Sequence, residues 1–219
     1  MWPQYSYMGR SFYSLQMDVV KYGLLTVHCL LFTDTFPIMA YVFELYFDQA
    51  GETAVRQLWQ SLAEAGVNDY MRTVGSTPHV TLAGFGDEVL DEVDLQAKAE
   101  SFAAHMQPIP LTLSHLGVFN TDPAVVYAGV TMSFALLDAH RYFHTLLAEV
   151  GKRPFAYYLP NTWVPHCTLA ERVVPDDVGK VVDHCRQLQL PLSVTAVRLG
   201  VVQPRTKPVR HLFTINISR

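Results

Sequence analysis

Pro78-His79-Val80-Thr81-Leu82-Ala83 and Pro165-His166-Cys167-Thr168-Leu169-Ala170 are nearly one hexapeptide written twice in a chain of 219 residues, with five of six positions identical. A match at one position has a chance of about one in twenty, so five matches somewhere in a chain this long have odds of about one in a hundred. Duplication is the better reading. Both runs are apolar and β-prone, and in a strand residues i and i+2 share a face. Each copy therefore presents an imidazole and a hydroxyl together, while Val80 and Cys167 point the other way.

Outward from the hexapeptides, strand-like and helix-like stretches alternate in a repeated order. Tyr41 to Phe47 reads as a strand, and Glu52 to Ala65 carries Val55, Leu58, Trp59 and Leu62 at helical spacing before a stop at Gly66. The first hexapeptide strand follows, then a helix from Asp91 to Met106 and a strand from Leu111 to Phe119 between Pro110 and Asn120. The second half repeats the pattern: strand Val125 to Thr131, helix Phe134 to Val150 closed by Gly151, the second hexapeptide, helix Asp176 to Leu188, and strands Leu192 to Val202 and Val209 to Ile217. The pattern predicts an α+β fold. Duplication implies two lobes, roughly residues 39–120 and 121–219 with exchange of strands between them allowed, related by an approximate two-fold axis. Antiparallel-rich sheets would face a central cleft with helices outside. His79, Thr81, His166 and Thr168 would then meet in that cleft from opposite walls.

Composition excludes several classes. Half the residues are hydrophobic and 16% charged, as in a folded globular protein. A net charge of −4 argues against gripping long duplex, which needs many Lys and Arg contacts to phosphate. A nucleotide or a strand end remains open as a partner. Cys29, Cys167 and Cys185 are odd in number and lack CxxC spacing, so neither a disulfide framework nor a zinc knuckle is indicated, and a reducing cytoplasm fits. Residues 1–38 are aromatic and without clear period, and the apolar run Leu24 to Phe32 is too short to span a bilayer. They read as an N-terminal extension, disordered or the product of a mis-assigned start, before a folded domain over 39–219.

Two imidazoles on opposite walls suit a displacement in which one proton is removed from a nucleophile while another is delivered to a leaving group. Threonine hydroxyls can hold an anionic oxygen between them, and no metal or cofactor is required. His140 and His144 have the i, i+4 spacing of a zinc-chelating pair, but the Glu of a metalloprotease helix and a third ligand are both absent, so no metal site is assigned. Cys167 adjoins His166 but lies on the opposite strand face, which makes it a core filler rather than a nucleophile. His28, His105, His115, His184 and His211 show no partner pattern.

The paired His-x-Thr motifs resemble the two-histidine (2H) phosphoesterase superfamily, and the stretch Trp163-Val164-Pro165-His166-Cys167-Thr168-Leu169-Ala170 is most similar to its bacterial 2′-5′ RNA ligase-like branch. The resemblance covers residues 39–219. It implies metal-independent cleavage of a 2′,3′-cyclic phosphate or 2′-5′ phosphodiester in an RNA 3′ end or a small cyclic nucleotide, with His79 and His166 as acid and base and Thr81 and Thr168 on the phosphate. In the favoured order His166 activates water and His79 protonates the departing oxygen, although the sequence does not fix that order. Two alternatives remain open, a reversible 2′-5′ RNA ligase and a non-catalytic module recognising a nucleotide or RNA end. Further substrate contacts are expected from Arg72, Arg153 and Arg172 and from Tyr157 and Tyr158 in the aromatic loop Phe155 to Trp163. Neither a membrane nor an obligate protein partner is indicated.

Overall fold

A computed structural model describes residues 40–86 and 90–217. The expectation for residues 1–38 lies outside the described residues. Strand β1 (Tyr41–Phe47) runs into helix α1 (Gln49–Glu64), and the short helix α2 (Tyr70–Thr73) precedes β2 (His79–Phe85). Then come α3 (Glu92–His105), β3 (Ile109–Phe119), β4 (Ala124–Val130) and α4 (Phe134–Leu147). The chain ends with β5 (His166–Val173), α5 (Val178–Cys185), β6 (Leu192–Gln203) and β7 (Arg210–Asn216).

Local chemistry sets these boundaries. The carboxylate of Asp48 accepts from Gly51 N and starts α1, Asp91 does the same for α3 through Val93 N, and the Ser133 hydroxyl caps α4 through Leu136 N. Gly66 and Gly151 adopt left-handed φ values of 63° and 72° just past α1 and past the 3₁₀ turn that follows α4. The helix expected over 134–150 is thus α-helical only to Leu147, and α2 was not anticipated from the sequence. The helix expected over 176–188 is shorter, with its first turn a 3₁₀ turn at Pro175–Asp177.

The seven strands of the described residues form one antiparallel sheet in the order β2-β1-β6-β3-β4-β5, with β7 also on β6. The strands are not shared out as consecutive halves. β6 pairs through Ala196–Val202 with β1, while its opposite edge takes β3 along Leu192–Ala196 and β7 along Arg198–Gln203. One wing is therefore β2-β1-β6-β7 and the other β6-β3-β4-β5, so the division expected at residue 120 is crossed: β3 pairs with β4, and the C-terminal strands complete the wing begun by β1 and β2. Adjacent-strand pairing outweighs sequence halves here, since β3 and β4 are joined by a connection of a few residues.

On β1, Phe43, Leu45 and Phe47 are fully buried in the core, where Phe143 of α4 meets Phe43 edge-on at 4.9 Å and Phe102 of α3 at 5.2 Å. The intervening Glu44 and Tyr46 lie on the other face. Strand β2 begins with His79 and Thr81 on that second face, yet Ala83 and Phe85, of the same parity, are in the core. A bulge explains the reversal: Phe43 pairs with Ala83 and Glu44 with Thr81, so Leu82 is the extra residue. The same device recurs on β5, where Val126 pairs with Ala170 and Tyr127 with Thr168, leaving Leu169 over. The Leu-Ala ending of both hexapeptides thus marks a bulge and a return to the core.

Candidate functional site

The two histidines are held alike. His79 Nδ1 donates to the carbonyl of Thr77 at 2.6 Å, and His166 Nδ1 donates to the carbonyl of Val164 at 2.8 Å. Each ring is tied to the backbone two residues upstream, which fixes the tautomer and leaves Nε2 as the working end. The two motifs sit on the two edge strands of the sheet, β2 and β5, which curl to approach each other. His79 is close enough to His166 for its charge to lower the His166 imidazole's proton affinity.

Edge strands leave backbone groups unpaired, and indoles satisfy some of them here. Trp163 Nε1, from the loop before β5, donates to Thr81 O at 3.0 Å, and Trp59 Nε1, from α1, donates to Thr168 O at 3.2 Å. The threonine carbonyl of each motif is therefore braced by a tryptophan packed against the opposite motif's side of the molecule. Phe155 N and Asn68 Nδ2 serve Gly84 O and Glu171 O in the same way. We expect Trp59→Phe and Trp163→Phe each to cost about 1–3 kcal/mol of stability, because a carbonyl withdrawn from water loses its partner while the ring volume is nearly kept. Urea unfolding of both variants checks this; no change in either midpoint would show that water replaces the indole.

Around this frame the walls differ. Beside His79 stand Glu44 and Tyr46 of β1: His79 Nε2 is 3.4 Å from Glu44 Oε1, and the Tyr46 hydroxyl is hydrogen-bonded to Glu44 and lies 3.4 Å from Nδ1 of His211. Arg198 lies over the Tyr46 ring at 5.6 Å and pairs with Glu52 at 2.8 Å. Burial, then the Glu44 carboxylate, pushes the Tyr46 phenol far above its ordinary range, so it stays a donor. Beside His166 stand rings instead. Phe119 of β3 meets it edge-on at 4.8 Å, and Tyr127 of β4 is 5.2 Å away. Burial first and the charge of His79 second hold the His166 imidazole down at about 4, against the pull of its bond to Val164. It is neutral at physiological pH.

Glycines make room for the tyrosines. A Cβ on Gly200 would stand 2.2 Å from the Tyr46 ring, and one on Gly117 would stand 2.3 Å from the Tyr127 ring. Each ring lies flat across the strand next to its own, which only a residue without a side chain permits.

The other sequence candidates fall in different places. Thr81 is buried, with Tyr158 hydrogen-bonded to its side chain. Tyr158 belongs to the core cluster and has no face open for a base, whereas Tyr157 is 38% exposed and stacks on Phe155 at 5.4 Å. Arg172 adopts φ 59° at a second irregularity of β5 and lies over Tyr70 at 4.7 Å, with Lys207 at 5.4 Å from the same ring. Arg72 is exposed on α2. Arg153 lines a cavity of about 240 Å³ with His144, Lys152 and Leu159, and neither His-x-Thr motif contributes to that cavity. His140 and His144 are engaged with the core: the His140 ring stacks on Trp163 at 3.8 Å, its Nε2 donates to Tyr158 O and its Nδ1 has no partner among the described residues, while His144 Nε2 donates to Leu82 O at 3.3 Å. Among the described residues no group of three or more His, Cys, Asp or Glu could hold a metal ion, and no helix is long and apolar enough to cross a membrane. Cys167 is fully buried on the core face, and burial raises its thiol to about 12.

Sequence reasoning missed Glu44, Tyr46, Phe119, Tyr127 and His211. A charged residue alone in the apolar run Tyr41 to Phe47 was the one signal that could have pointed to Glu44.

No curated protein sequence matches the chain. Among solved structures it is similar in fold to the Thermus thermophilus protein TT0787, at a TM-score of 0.55 and 16% identity over 82% of this chain and 98% of that one. It is also similar to E. coli LigT in its apo form, at a TM-score of 0.50 and 16% identity over 83% of this chain and 98% of that one. The family profile of the 2′-5′ RNA ligase superfamily matches residues 47–208, which include both histidine motifs and most of the sheet. On that match the chain belongs to the 2′-5′ RNA ligase superfamily of two-histidine phosphoesterases, enzymes that act on phosphodiester bonds.

Proposed function

We propose that this chain is a metal-independent phosphodiesterase that opens a 2′,3′-cyclic phosphate or cuts a 2′-5′ linkage at an RNA end or in a small nucleotide. The observation that carries the reading is the matched anchoring of His79 and His166 at the starts of β2 and β5, each bonded through Nδ1 to the carbonyl two residues before it. Such a pair can move two protons in one displacement. One imidazole takes a proton from water as its oxygen bonds to phosphorus. The bond from phosphorus to the ribose oxygen breaks, and that oxygen keeps the electron pair and takes a proton from the other imidazole. One water is consumed, and a cyclic substrate becomes a phosphomonoester. The Thr81 and Thr168 hydroxyls stand two residues from each histidine, where they can hold the non-bridging oxygens as charge builds on them.

Turnover of a 2′,3′-cyclic mononucleotide by the full chain in the presence of EDTA tests the reading. Release of a nucleoside monophosphate is expected; binding without turnover would leave a recognition module in its place.

The substrate's base is assigned to Tyr157, which is half-open and already paired with Phe155. Stacking on an aromatic ring contributes about 1–3 kcal/mol per base, so Tyr157→Ala should raise KM about 5- to 150-fold at nearly constant stability. Tyr158→Ala should instead lower the unfolding midpoint, because its ring is in the core and its hydroxyl is bonded to Thr81. Steady-state kinetics and thermal melts of the two variants separate the roles; equal KM for Tyr157→Ala and wild type would remove the base from this loop.

A further inference from the structure

We propose that Glu44 is a positioning residue that makes the two histidines unequal: its carboxylate gives His79 a second acceptor, at Nε2, and so gives His79 the acid's part and His166 the base's. The inference rests on the phosphodiesterase reading above and names the order of its proton transfers.

A carboxylate buried to 5% exposure in an otherwise apolar strand is costly unless something of opposite charge or a donor meets it. Glu44 meets two groups, the Tyr46 hydroxyl and His79 Nε2. The second is decisive. His79 has an acceptor at each ring nitrogen, Thr77 O at 2.6 Å from Nδ1 and Glu44 Oε1 at 3.4 Å from Nε2. A neutral imidazole has one N–H and satisfies one of these; the imidazolium satisfies both. Among the described residues His166 has an acceptor at Nδ1 alone, with Phe119 and Tyr127 rings around the rest.

The contrast has one structural origin. In the sheet register Glu44 stands opposite Thr81 of the first motif, and the residue standing opposite Thr168 of the second motif is Tyr127. Equivalent positions of a duplicated frame thus carry a carboxylate on one wall and a phenol on the other. At 3.4 Å the contact with Nε2 is longer than a well-formed N–H···O bond, so Glu44 stabilises the charge without fully committing the proton, which remains available to a leaving oxygen. The remaining groups facing His79 are Tyr46 on β1, backed by Arg198 of β6 and His211 of β7, and His166 and Glu171 on β5, the latter in the field of Arg172 and Lys207. Glu44 is the carboxylate in contact with the ring.

The test uses ¹⁵N-labelled histidine in the full chain near pH 6.5, with ring signals assigned by their loss in His79→Asn and His166→Asn. The expected wild-type spectrum shows the doubly protonated signature for His79 and the neutral, Nδ1-protonated one for His166. In Glu44→Gln, which keeps the side-chain shape, His79 should turn neutral. The variant's kcat should fall about 10- to 100-fold, the low end of what a general acid supplies, at similar KM. The alkaline limb of its pH–rate profile should move to lower pH. A neutral His79 in wild type, or a Glu44→Gln variant that leaves both the spectrum and the pH profile unchanged, overturns the proposal. If the wild type turns over no phosphodiester, the functional reading fails, and the wild-type spectrum still decides the part played by Glu44. That spectrum also decides it if the glutamine variant does not fold.

Discussion

His79→Ala and His166→Ala should each lower kcat on a 2′,3′-cyclic nucleotide by about 10²- to 10⁴-fold, the range a single general acid or base supplies. The double variant should lose less than the product of the two, because both protons move in one displacement and removing either partner already disables it. KM should change little, since binding falls to other side chains. Wild-type activity should trace a bell in pH. On its acid side the limb belongs to His166, which must be neutral to accept a proton and which burial holds at about 4. The rate should be indifferent to EDTA. Near-wild-type turnover in either single variant, or activity lost to the chelator and restored by zinc or manganese, would show that another mechanism operates.

Acid should weaken the fold as pH falls below 6.5. His140 and His166 are both held down at about 4, in each case chiefly by burial. Well above pH 6.5 they are neutral whether the chain is folded or unfolded, and their contribution is fully present. As pH falls below 6.5 the unfolded chain takes up protons that the folded one refuses, so stability drops toward pH 4. Between pH 7 and 5 the loss is roughly 2 kcal/mol per histidine. His144, lowered by burial in the same direction, adds to it, while Glu171, whose carboxyl burial raises, works the opposite way. Urea unfolding at pH 7, 6 and 5 should show the decline, and His140→Gln should flatten part of it. A flat profile in wild type would mean that these imidazoles are hydrated in solution.

What the sequence made legible was whatever repeats or has a period. The doubled hexapeptide located both histidines and both threonines, and β1 begins and ends at the residues its pattern suggested, Tyr41 and Phe47. The role of Leu82 and Leu169 as bulge residues was also present in the repeat, visible only once the register was known. Glu44 was hidden because its partner lies on another strand, and cross-strand register is a property of the sheet rather than of either segment. Phe119 and Tyr127 were hidden for the same reason: their use depends on Gly117 being beneath the Tyr127 ring. Tyr157 and Tyr158 could not be told apart in the sequence, because a loop full of aromatics looks alike whether its rings face solvent or core. The i, i+4 spacing of His140 and His144, to which no metal is assigned, gave no sign that the His140 ring is a platform for Trp163.

The sharing of β6 between both wings also has a consequence in time. β1 pairs with β2 at once, but its other edge must wait for residues 196–202, roughly 150 residues later in the chain. At translation rates of about 5–20 residues per second, that edge stays open for roughly 10 to 30 s on the ribosome. An open strand reading Tyr-Val-Phe-Glu-Leu-Tyr-Phe is the kind of segment that pairs with neighbouring chains, and its single charge is Glu44. The carboxylate that sits against His79 in the finished protein is then also the gatekeeper of the nascent one, and its neutralisation should show first as a lower yield of soluble protein.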